Sequence, residues 1–323
     1  METRELLEEL REYPGLSRKR AIGDWAGRFT GAGGMDSVPG VYGPGDDAGA
    51  VEIEGGYLLL SGEGIWPPLL EDPGFAGFSA VTVNVNDIYA MGGRPLGLLA
   101  VVFEGGISGE RRERFLDGLE RGLAHYRLPL LGGHTSPEGG EPAVAVSIAG
   151  FARDLLKGNG ASPGDELLVA LDLNGRRHPL FFAWDTVTVA PDDDTLGKLE
   201  ALPELARRGL CSACRDISNP GVLGTAAMML EASGAGADIV LDRMPVPPGA
   251  ELSWWLKAYP SFGFLLSADP SECDEVIDVF RSVRVRCESI GTVTEGSRIT
   301  VRLGEESGVF LDWRKEPVTG LFS

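Results

Sequence analysis

The chain has 323 residues, of which 43% are apolar and 24% are charged, and its formal net charge at pH 7 is −19. This length predicts about two domains of ordinary globular composition. The strong negative charge excludes nucleic acid and anionic membrane surfaces as main partners, because phosphate groups are held by Lys and Arg side chains.

The sequence predicts no targeting or membrane segment. Residues 1–12 predict a charged amphipathic helix without the apolar core of a secretory signal. No apolar stretch reaches the roughly 20 residues that a membrane-spanning helix needs. Four cysteines do not make a disulfide framework. We therefore expect a cytoplasmic protein.

In the N-terminal half, the hydrophobic pattern predicts a second helix over 16–22 with Ser17 as its N-cap. Apolar runs at 48–53 and 57–60, separated by two glycines, predict a hairpin. Residues 73–93 show both helical and strand spacing, and their length favours a helix. The other predicted elements are a buried strand at 96–103, a helix from Ser108 to Tyr126, and strands at 128–131 and 143–151.

A turn-rich stretch at 157–165 predicts a junction between two domains, residues 1–156 and 157–323. Beyond it, strands and helices are mixed without strict alternation, which predicts an α+β fold with largely antiparallel sheets. The predicted strands are 166–171, 237–241, 262–267, 284–291 and 298–303, and the predicted helices are 195–208, 221–232 and 271–283.

Two short acidic segments, both enclosed by glycine, suggest a metal site. In the first, Asp46 and Asp47 follow Gly45. Mg²⁺ prefers oxygen ligands and usually keeps waters and substrate phosphates among them, so carboxylates at sharp turns suit it. The alternative is a plain turn, in which each Asp bonds its own backbone.

The second segment places Asn84, Asn86 and Asp87 close together in an otherwise apolar helix that ends near Gly92. Asn84 and Asp87 are three residues apart and are predicted to share a helix face. A simple helix stop explains Gly92. It does not explain the three polar side chains, which cost several kcal/mol to bury unless they are paired or bind a metal.

Two further segments carry candidate residues. Glu63 has glycine on both sides and is either a third metal ligand or a turn residue. Gly132 and Gly133 precede His134 and Thr135, and paired glycines let backbone N–H groups approach phosphate oxygens. His134 is either structural or functional, and its predicted loop position favours function.

A fourth segment begins at Asp216 and enters a helix. Ser218 or Asn219 is predicted to cap that helix, with Pro220 at its first position. Capping and anion binding use the same N-terminal N–H groups, so the two interpretations are compatible.

These four segments, in this order, resemble the ATP-binding family of aminoimidazole ribonucleotide synthetase, thiamine monophosphate kinase, selenophosphate synthetase and the hydrogenase-maturation dehydratase. Each motif alone is loose, but four in register are specific. The similarity is greatest to an AIR synthase-related, methanogenesis-marker-like branch. The matching segments are 43–48, 84–95, 132–135 and 216–224, with 262–266 and 290–293 resembling the family's closing strands.

The resemblance implies a PurM-like fold of two domains, in which the N-terminal domains of two subunits pair into a shared β-barrel and ATP binds near that interface. By motif position it implies the Mg²⁺ ligands Asp46, Asp47 and Asp87, approach of Gly132 to Thr135 to the nucleotide, and a further metal or phosphate contact at Asp216. Together with the residue patterns, we expect Glu63 as a further Mg²⁺ ligand. We expect the nucleotide contacts to be Gly45, Asn84, Asn86, Gly132, Gly133, Thr135, Ser218 and Asn219, and the catalytic residues to be Asp87, His134 and Asp216.

Three departures from the family lie on the acceptor side of the site. His134 stands where thiamine monophosphate kinase has an acidic residue, and Asn219 replaces the second Asp of an Asp-Ile-Ser-Asp motif. The kinase's Asp-Thr-Leu-Val-Glu-Gly strand becomes Ser61-Gly62-Glu63-Gly64. The resemblance therefore implies a retained nucleotide site with a different acceptor.

The leading hypothesis is ATP- and Mg²⁺-dependent phosphoryl transfer to a small heteroatom acceptor, by a homodimer. Lys19 and Arg20 either close over the phosphates or form a solvated charge run. A second hypothesis is a nucleotide-binding regulatory or scaffold protein without turnover. A third treats the acidic segments as surface turns of a structural protein.

Overall fold

The computed structural model describes residues 3–30, 39–65, 70–107, 109–138 and 140–321. The α-helices are α1 Thr3–Glu12, α2 Pro14–Ser17, α3 Ala21–Thr30, α4 Pro73–Ala90, α5 Glu110–His125, α6 Asp192–Leu199, α7 Ala201–Arg208, α8 Gly221–Ser233, α9 Leu252–Trp255 and α10 Cys273–Ser282. The strands are β1 Val41–Tyr42, β2 Gly49–Ile53, β3 Gly56–Ile65, β4 Arg94–Phe103, β5 Leu130–Ser136, β6 Ala143–Ala152, β7 Glu166–Leu171, β8 Arg176–Arg177, β9 Ala183–Asp185, β10 Ala213–Asp216, β11 Gly236–Val240, β12 Tyr259–Pro260, β13 Gly263–Ala268, β14 Arg286–Thr294, β15 Arg298–Leu303 and β16 Glu306–Asp312.

A six-stranded sheet organises the N-terminal half, with the strand order β1-β2-β3-β6-β4-β5. Strands β4 and β5 pair in parallel, whereas the other neighbours are antiparallel. Helices α4 and α5 cover one face and pack closely together. Their approach requires glycine, because a Cβ on Gly77 would lie 2.1 Å from the carbonyl oxygen of Phe115.

The opposite face of this sheet is apolar and open to solvent. Leu60, Leu99 and Phe103 are 50%, 47% and 42% exposed, respectively. On edge strand β5, Leu130 and Leu131 are 49% and 60% exposed. A contiguous exposed apolar surface of this kind is typical of an interaction site, whereas single exposed apolar residues are ordinary.

A seven-stranded sheet organises the C-terminal half, in the order β10-β13-β7-β14-β11-β15-β16. Its inner strand β7, between β13 and β14, is buried on both faces. Leu167 and Val169 pack into a core with Val222 of α8, while Leu168 joins the core that contains Val85 of α4. The core of the N-terminal half is therefore continuous with one face of this sheet.

The α+β architecture with largely antiparallel sheets is confirmed, and so is the helical assignment of 73–93. The predicted hairpin, the strand 166–171 and the strand 298–303 are also confirmed. No helix within the described residues is both long and apolar enough to span a bilayer.

Three element predictions are wrong. The helix predicted over 195–208 is two helices that break at Glu200, whose carboxylate accepts hydrogen bonds from Arg94 and from the Tyr89 hydroxyl. Ser17 is not an N-cap but ends α2 in helical conformation. Strand β4 is not buried throughout, because its outer side chains face solvent.

The remaining differences concern segment ends and weak patterns. Strand β16, at Glu306–Asp312, was not predicted. Its hydrophobic pattern is weak because two acidic residues and a glycine interrupt it. The predicted helix cap Ser108 lies outside the described residues, and helix α5 begins at Glu110.

Candidate functional site

A cavity of about 350 Å³ lies where the two halves of the chain meet. This volume is within the range of small-molecule sites. Five carboxylates line it, contributed by four separate segments of the sequence. They are Asp46, Asp47, Glu63, Asp87 and Asp216.

The turn before β2 places the first two carboxylates against the C-terminal half. Asp47 forms a buried ion pair with Arg215, with Nη1 to Oδ1 at 3.1 Å, and its Oδ2 accepts the backbone N–H of Asp216 at 2.9 Å. Burial raises the pKa of Asp47 to about 6, although the Arg215 guanidinium opposes this shift. Asp47 thus joins the halves and borders the cavity.

Asp46 has a different set of partners. Both of its carboxylate oxygens lie 2.9 Å from the backbone nitrogen of Gly158, in the predicted junction. Burial raises the pKa of Asp46, while Arg215 and the N–H of Gly158 oppose the shift. Its oxygens are therefore partly committed to holding the chain that links the two halves.

Helix α4 presents one polar face to the cavity. Because a helix repeats every 3.6 residues, Ser79, Val83 and Asp87 align along this face, with Asn86 beside them. The Ser61 hydroxyl donates to Asp87 Oδ2 at 2.6 Å. Burial, followed by the negative charges of Asp216 and Glu63, raises the pKa of Asp87 well above its usual value.

Glu63 and Asp216 face Asp87 from two strands. Glu63, on β3, is exposed within the cavity, but the surrounding protein raises its pKa. Burial and the charge of Asp47 raise the pKa of Asp216, at the end of β10, well above its usual value. The two pKa shifts share one cause, which is desolvation, because poorly solvated surroundings disfavour the charged form of a carboxyl.

The segment after Asp216 turns its polar side chains into the same cavity. Ser218 and Asn219 line it, together with Gly45 from the opposite side. The predicted cap is wrong, because Pro220 is the N-cap of α8 and no side chain caps the helix. In the part of the chain that the structure describes, no side chain caps the N-terminal N–H groups of α8.

Two predicted contacts are not part of this cavity. Asn84 is fully buried, donates from Nδ2 to the Ala80 carbonyl oxygen at 2.8 Å, and lies off the face that carries Asp87. The segment Gly132–Thr135 is not a loop, because β5 includes it, and its residues do not line the cavity. His134 therefore lies away from the carboxylates within one chain.

Sequence reasoning missed several residues of the site. Arg215 was not singled out, although an Arg directly before a candidate Asp signals an ion pair. Ser61 and Ser261 were also missed, because their roles depend on contacts across 26 and 175 residues. Lys19 lines the cavity, whereas Arg20 pairs with Glu316 at 3.8 Å outside it.

The donor set fits a hard divalent cation. It provides oxygen atoms and an excess of negative charge, and the buried Oδ1 of Asn86 has no hydrogen-bond partner among the described residues. Within the described ranges, however, no three His, Cys, Asp or Glu side chains are already arranged around one ion. A cation would be held by one or two carboxylates plus ligand oxygens, as Mg²⁺ usually is.

Comparison with known proteins identifies the family. Residues 45–152 match the AIR synthase related protein N-terminal domain, and residues 180–304 match the corresponding C-terminal domain. The chain belongs to the AIR synthase related family. The match begins at Gly45, directly before the two aspartates of the cavity.

Relatives that align over most of both chains support this membership. An uncharacterised protein of Synechocystis sp. is 38% identical and aligns over 85% of this chain and 86% of its own length. An uncharacterised protein of Methanocaldococcus jannaschii is 34% identical over 99% of this chain and all of its own. Selenide, water dikinase of Geobacter metallireducens is 29% identical over 68% of this chain and 70% of its own.

Solved structures share the fold. Thermotoga maritima PurL complexed with ADP superposes with a TM-score of 0.70 at 18% identity, over 90% of this chain and 49% of PurL. ThiL complexed with AMPPCP and TMP gives a TM-score of 0.64 at 19% identity, over 83% of this chain and 92% of ThiL. At these identities the likeness establishes the PurM-like fold alone.

The raised carboxylate pKa values predict that Asp87→Asn stabilises the metal-free protein at high pH. A carboxyl whose pKa is higher in the folded state stabilises the fold below the unfolded-state pKa, about 3.9 for Asp, and loses that contribution as pH rises. A tenfold difference in the proton affinity of a carboxylate between the two states corresponds to about 1.4 kcal/mol. We expect Asp87→Asn to gain at least about 1 kcal/mol at pH 8.

Urea unfolding without divalent cations, at several pH values from 5 to 8, measures this gain. The gain should grow with pH. Asp117→Asn, on the exposed surface of α5, is the matched control and should change stability little at any of these pH values. Equal stability of Asp87→Asn and the parent at pH 8 would contradict the electrostatic account.

Proposed function

We propose that the protein catalyses ATP- and Mg²⁺-dependent phosphoryl transfer to a small heteroatom acceptor. The observation that carries the proposal is the convergence of five carboxylates from distant segments on one cavity. Of these five carboxylates, only Asp47 forms an ion pair within the described residues. This excess of negative charge favours a cation-bound nucleotide over a purely structural role.

The surface-turn hypothesis does not agree with the burial of these groups. Asp87 is 5% exposed, and the side chain of Asp47 is 8% exposed. Plain surface turns leave their carboxylates solvated, with ordinary pKa values. This burial argues against the third hypothesis at Asp47 and Asp87.

We propose that one or two carboxylates among Asp47, Glu63, Asp87 and Asp216 hold each Mg²⁺, with Asp46 supporting them. When bound, the ion would neutralise the polyphosphate and the charge that develops on it during transfer. Arg215 keeps Asp47 oriented, and Ser61 fixes the rotamer of Asp87. The chain's contribution is mainly positioning and electrostatics, since phosphoryl transfer requires little covalent chemistry from the protein.

The cavity is lined by apolar as well as polar side chains. The apolar residues include Ile65, Phe75, Val83, Met228 and Tyr259, which suits an organic group better than a bare ion. The acceptor we propose is a small molecule whose attacking atom is an amide, phosphate or carboxylate oxygen. The named relatives handle different substrates, so the family alone does not choose among them.

We also propose that the protein acts as a homodimer through the open apolar face of the N-terminal sheet. Two copies that join these faces would bury Leu60, Leu99 and Phe103 together. Because Gly132–Thr135 do not line their own chain's cavity, we propose that they contact nucleotide in the second copy. We further propose that the chain divides into two domains, residues 1–156 and 157–323.

Asp87→Asn should abolish Mg·ATP turnover and leave the fold intact. The change removes a charge from the proposed ion site while retaining an acceptor for the Ser61 hydroxyl. ADP or AMP release, measured with a panel of small acceptors, should fall by at least about 10²-fold, the scale on which single electrostatic groups act in catalysis. Unchanged turnover would defeat the assignment.

Calorimetry on the parent chain and on Asp87→Asn, together with the release assay, distinguishes an enzyme from a regulatory protein. Mg²⁺-dependent binding of AMPPCP to the parent chain, together with acceptor-stimulated product release, supports the enzyme. Tight binding with no release across the panel supports the nucleotide-binding scaffold instead. Absence of any nucleotide binding would contradict both.

Leu99→Asp should convert the dimer to a monomer, because it places a charge in the centre of the proposed apolar interface. Light scattering coupled to size exclusion measures the mass directly. Val309→Asp is the matched control, since Val309 is 45% exposed on a strand of the other sheet. A parent chain that is monomeric, or a Leu99→Asp dimer, would overturn the interface.

A further inference from the structure

The cavity has a wall made from both ends of the chain. We call residues 13–23 the N-terminal arm and residues 316–321 the C-terminal tail. Lys19 and Ile22 of the arm line the cavity, and so do Thr319 and Leu321 of the tail. This wall faces the carboxylates of the N-terminal sheet and α4.

A buried carboxylate anchors the tail. Glu231, on α8, is 1% exposed. It accepts hydrogen bonds from the backbone N–H groups of Val318 at 2.6 Å, Thr319 at 3.0 Å and Gly320 at 2.8 Å, and from the Thr319 hydroxyl at 3.0 Å. Four donors on one carboxylate fix the position of this short segment, because a buried anion needs such partners.

The tail in turn seats the arm. A Cβ on Gly23 would lie 2.4 Å from the Thr319 carbonyl oxygen, so only a glycine permits this contact. Arg20 and Glu316 form an ion pair between the same two segments. At the other end of the arm, a Cβ on Gly15 would lie 2.3 Å from the carbonyl oxygen of Asn219, itself a cavity residue.

These contacts between the arm, the tail and Asn219 determine the position of one positive charge. Of the described residues that line the cavity, Lys19 and Arg215 carry the cationic side chains. Arg215 is committed to Asp47 and to the Gly45 carbonyl oxygen. Lys19 has no comparable commitment and lies in the short turn Arg18–Arg20, between α2 and α3. Lys19 is thus the cation that can meet a bound polyphosphate.

We propose that Lys19 contacts the polyphosphate and that Glu231 is a positioning residue, which holds the tail so that the tail seats the arm and Lys19. The proposal rests on the proposed function, because it takes a triphosphate as the ligand. A loose arm would leave Lys19 solvated, and the nucleotide would lose one charge-assisted contact.

A matched pair of glycine substitutions in α3 tests the seating. Gly23→Ala should displace the arm from the tail. Gly27→Ala makes the same change one turn later, where a Cβ would meet no atom of the described residues within 4 Å. The measurement is calorimetric affinity of the full chain for Mg·AMPPCP, with Lys19→Met as the reference. We expect Lys19→Met and Gly23→Ala to bind about 10-fold more weakly, about 1.4 kcal/mol, and Gly27→Ala to bind like the parent.

A double-mutant cycle separates positioning from general damage to the fold. If Gly23 acts through Lys19, adding Gly23→Ala to Lys19→Met should weaken binding no further. Glu231→Gln, which removes one of the two carboxylate acceptors, should show the same non-additivity. Additive losses would overturn the positioning role, and so would equal affinities of Gly23→Ala and Gly27→Ala.

The same experiment distinguishes failure of the proposed function from failure of the role proposed for the arm. A parent chain that does not bind Mg·AMPPCP, or that binds it as well after Asp87→Asn, contradicts the nucleotide site itself. A parent chain that binds, loses binding with Asp87→Asn, and is indifferent to Lys19→Met contradicts only the role of the arm.

Discussion

The crowding of like charges around the buried pair of Asp47 and Arg215 is the constraint on which the site depends. Arg215 neutralises one carboxylate, and its neighbours retain raised pKa values because burial and mutual repulsion disfavour their charged forms. Removing either partner of a buried pair leaves an uncompensated charge. The metal-free site is therefore under electrostatic stress, which the divalent cation that we propose would relieve.

The fold supplies this arrangement by joining two sheets through one continuous core. Val85 of α4 and Leu168 of β7 belong to the same buried cluster, which fixes the helix against the C-terminal half. That packing places the polar face of α4 opposite Asp216. Single interactions then fix the position of α4 in the cavity wall, such as the hydrogen bond of 2.9 Å from Asn86 Nδ2 to the Ser261 carbonyl oxygen.

The sequence predicted elements with strong periodicity and sites with dense polar signals. The helix at 73–93 and the convergence of Asp46, Asp47, Glu63, Asp87 and Asp216 follow from such patterns. Asn84 was assigned to the cavity because it is three residues from Asp87, yet the cavity face passes through Val83 instead. His134 was placed in a loop because two glycines precede it. In the structure, Gly132–Thr135 belong to strand β5, which pairs in parallel with β4. Arg215 and Ser61 depend on long-range contacts that local pattern does not encode.

The bonds between Asp47, Arg215 and the Asp216 backbone also limit how the cavity exchanges its contents. Swinging the two halves apart would expose a desolvated ion pair and break the link from Asp46 to Gly158, which makes hinge opening an expensive route. The wall formed by the N-terminal arm and the C-terminal tail is held through one carboxylate, Glu231, and its ion pair, Arg20–Glu316, is already exposed to solvent. We therefore expect the ligands of the proposed enzyme to enter and leave past the arm and the tail, while the two halves of the chain stay together.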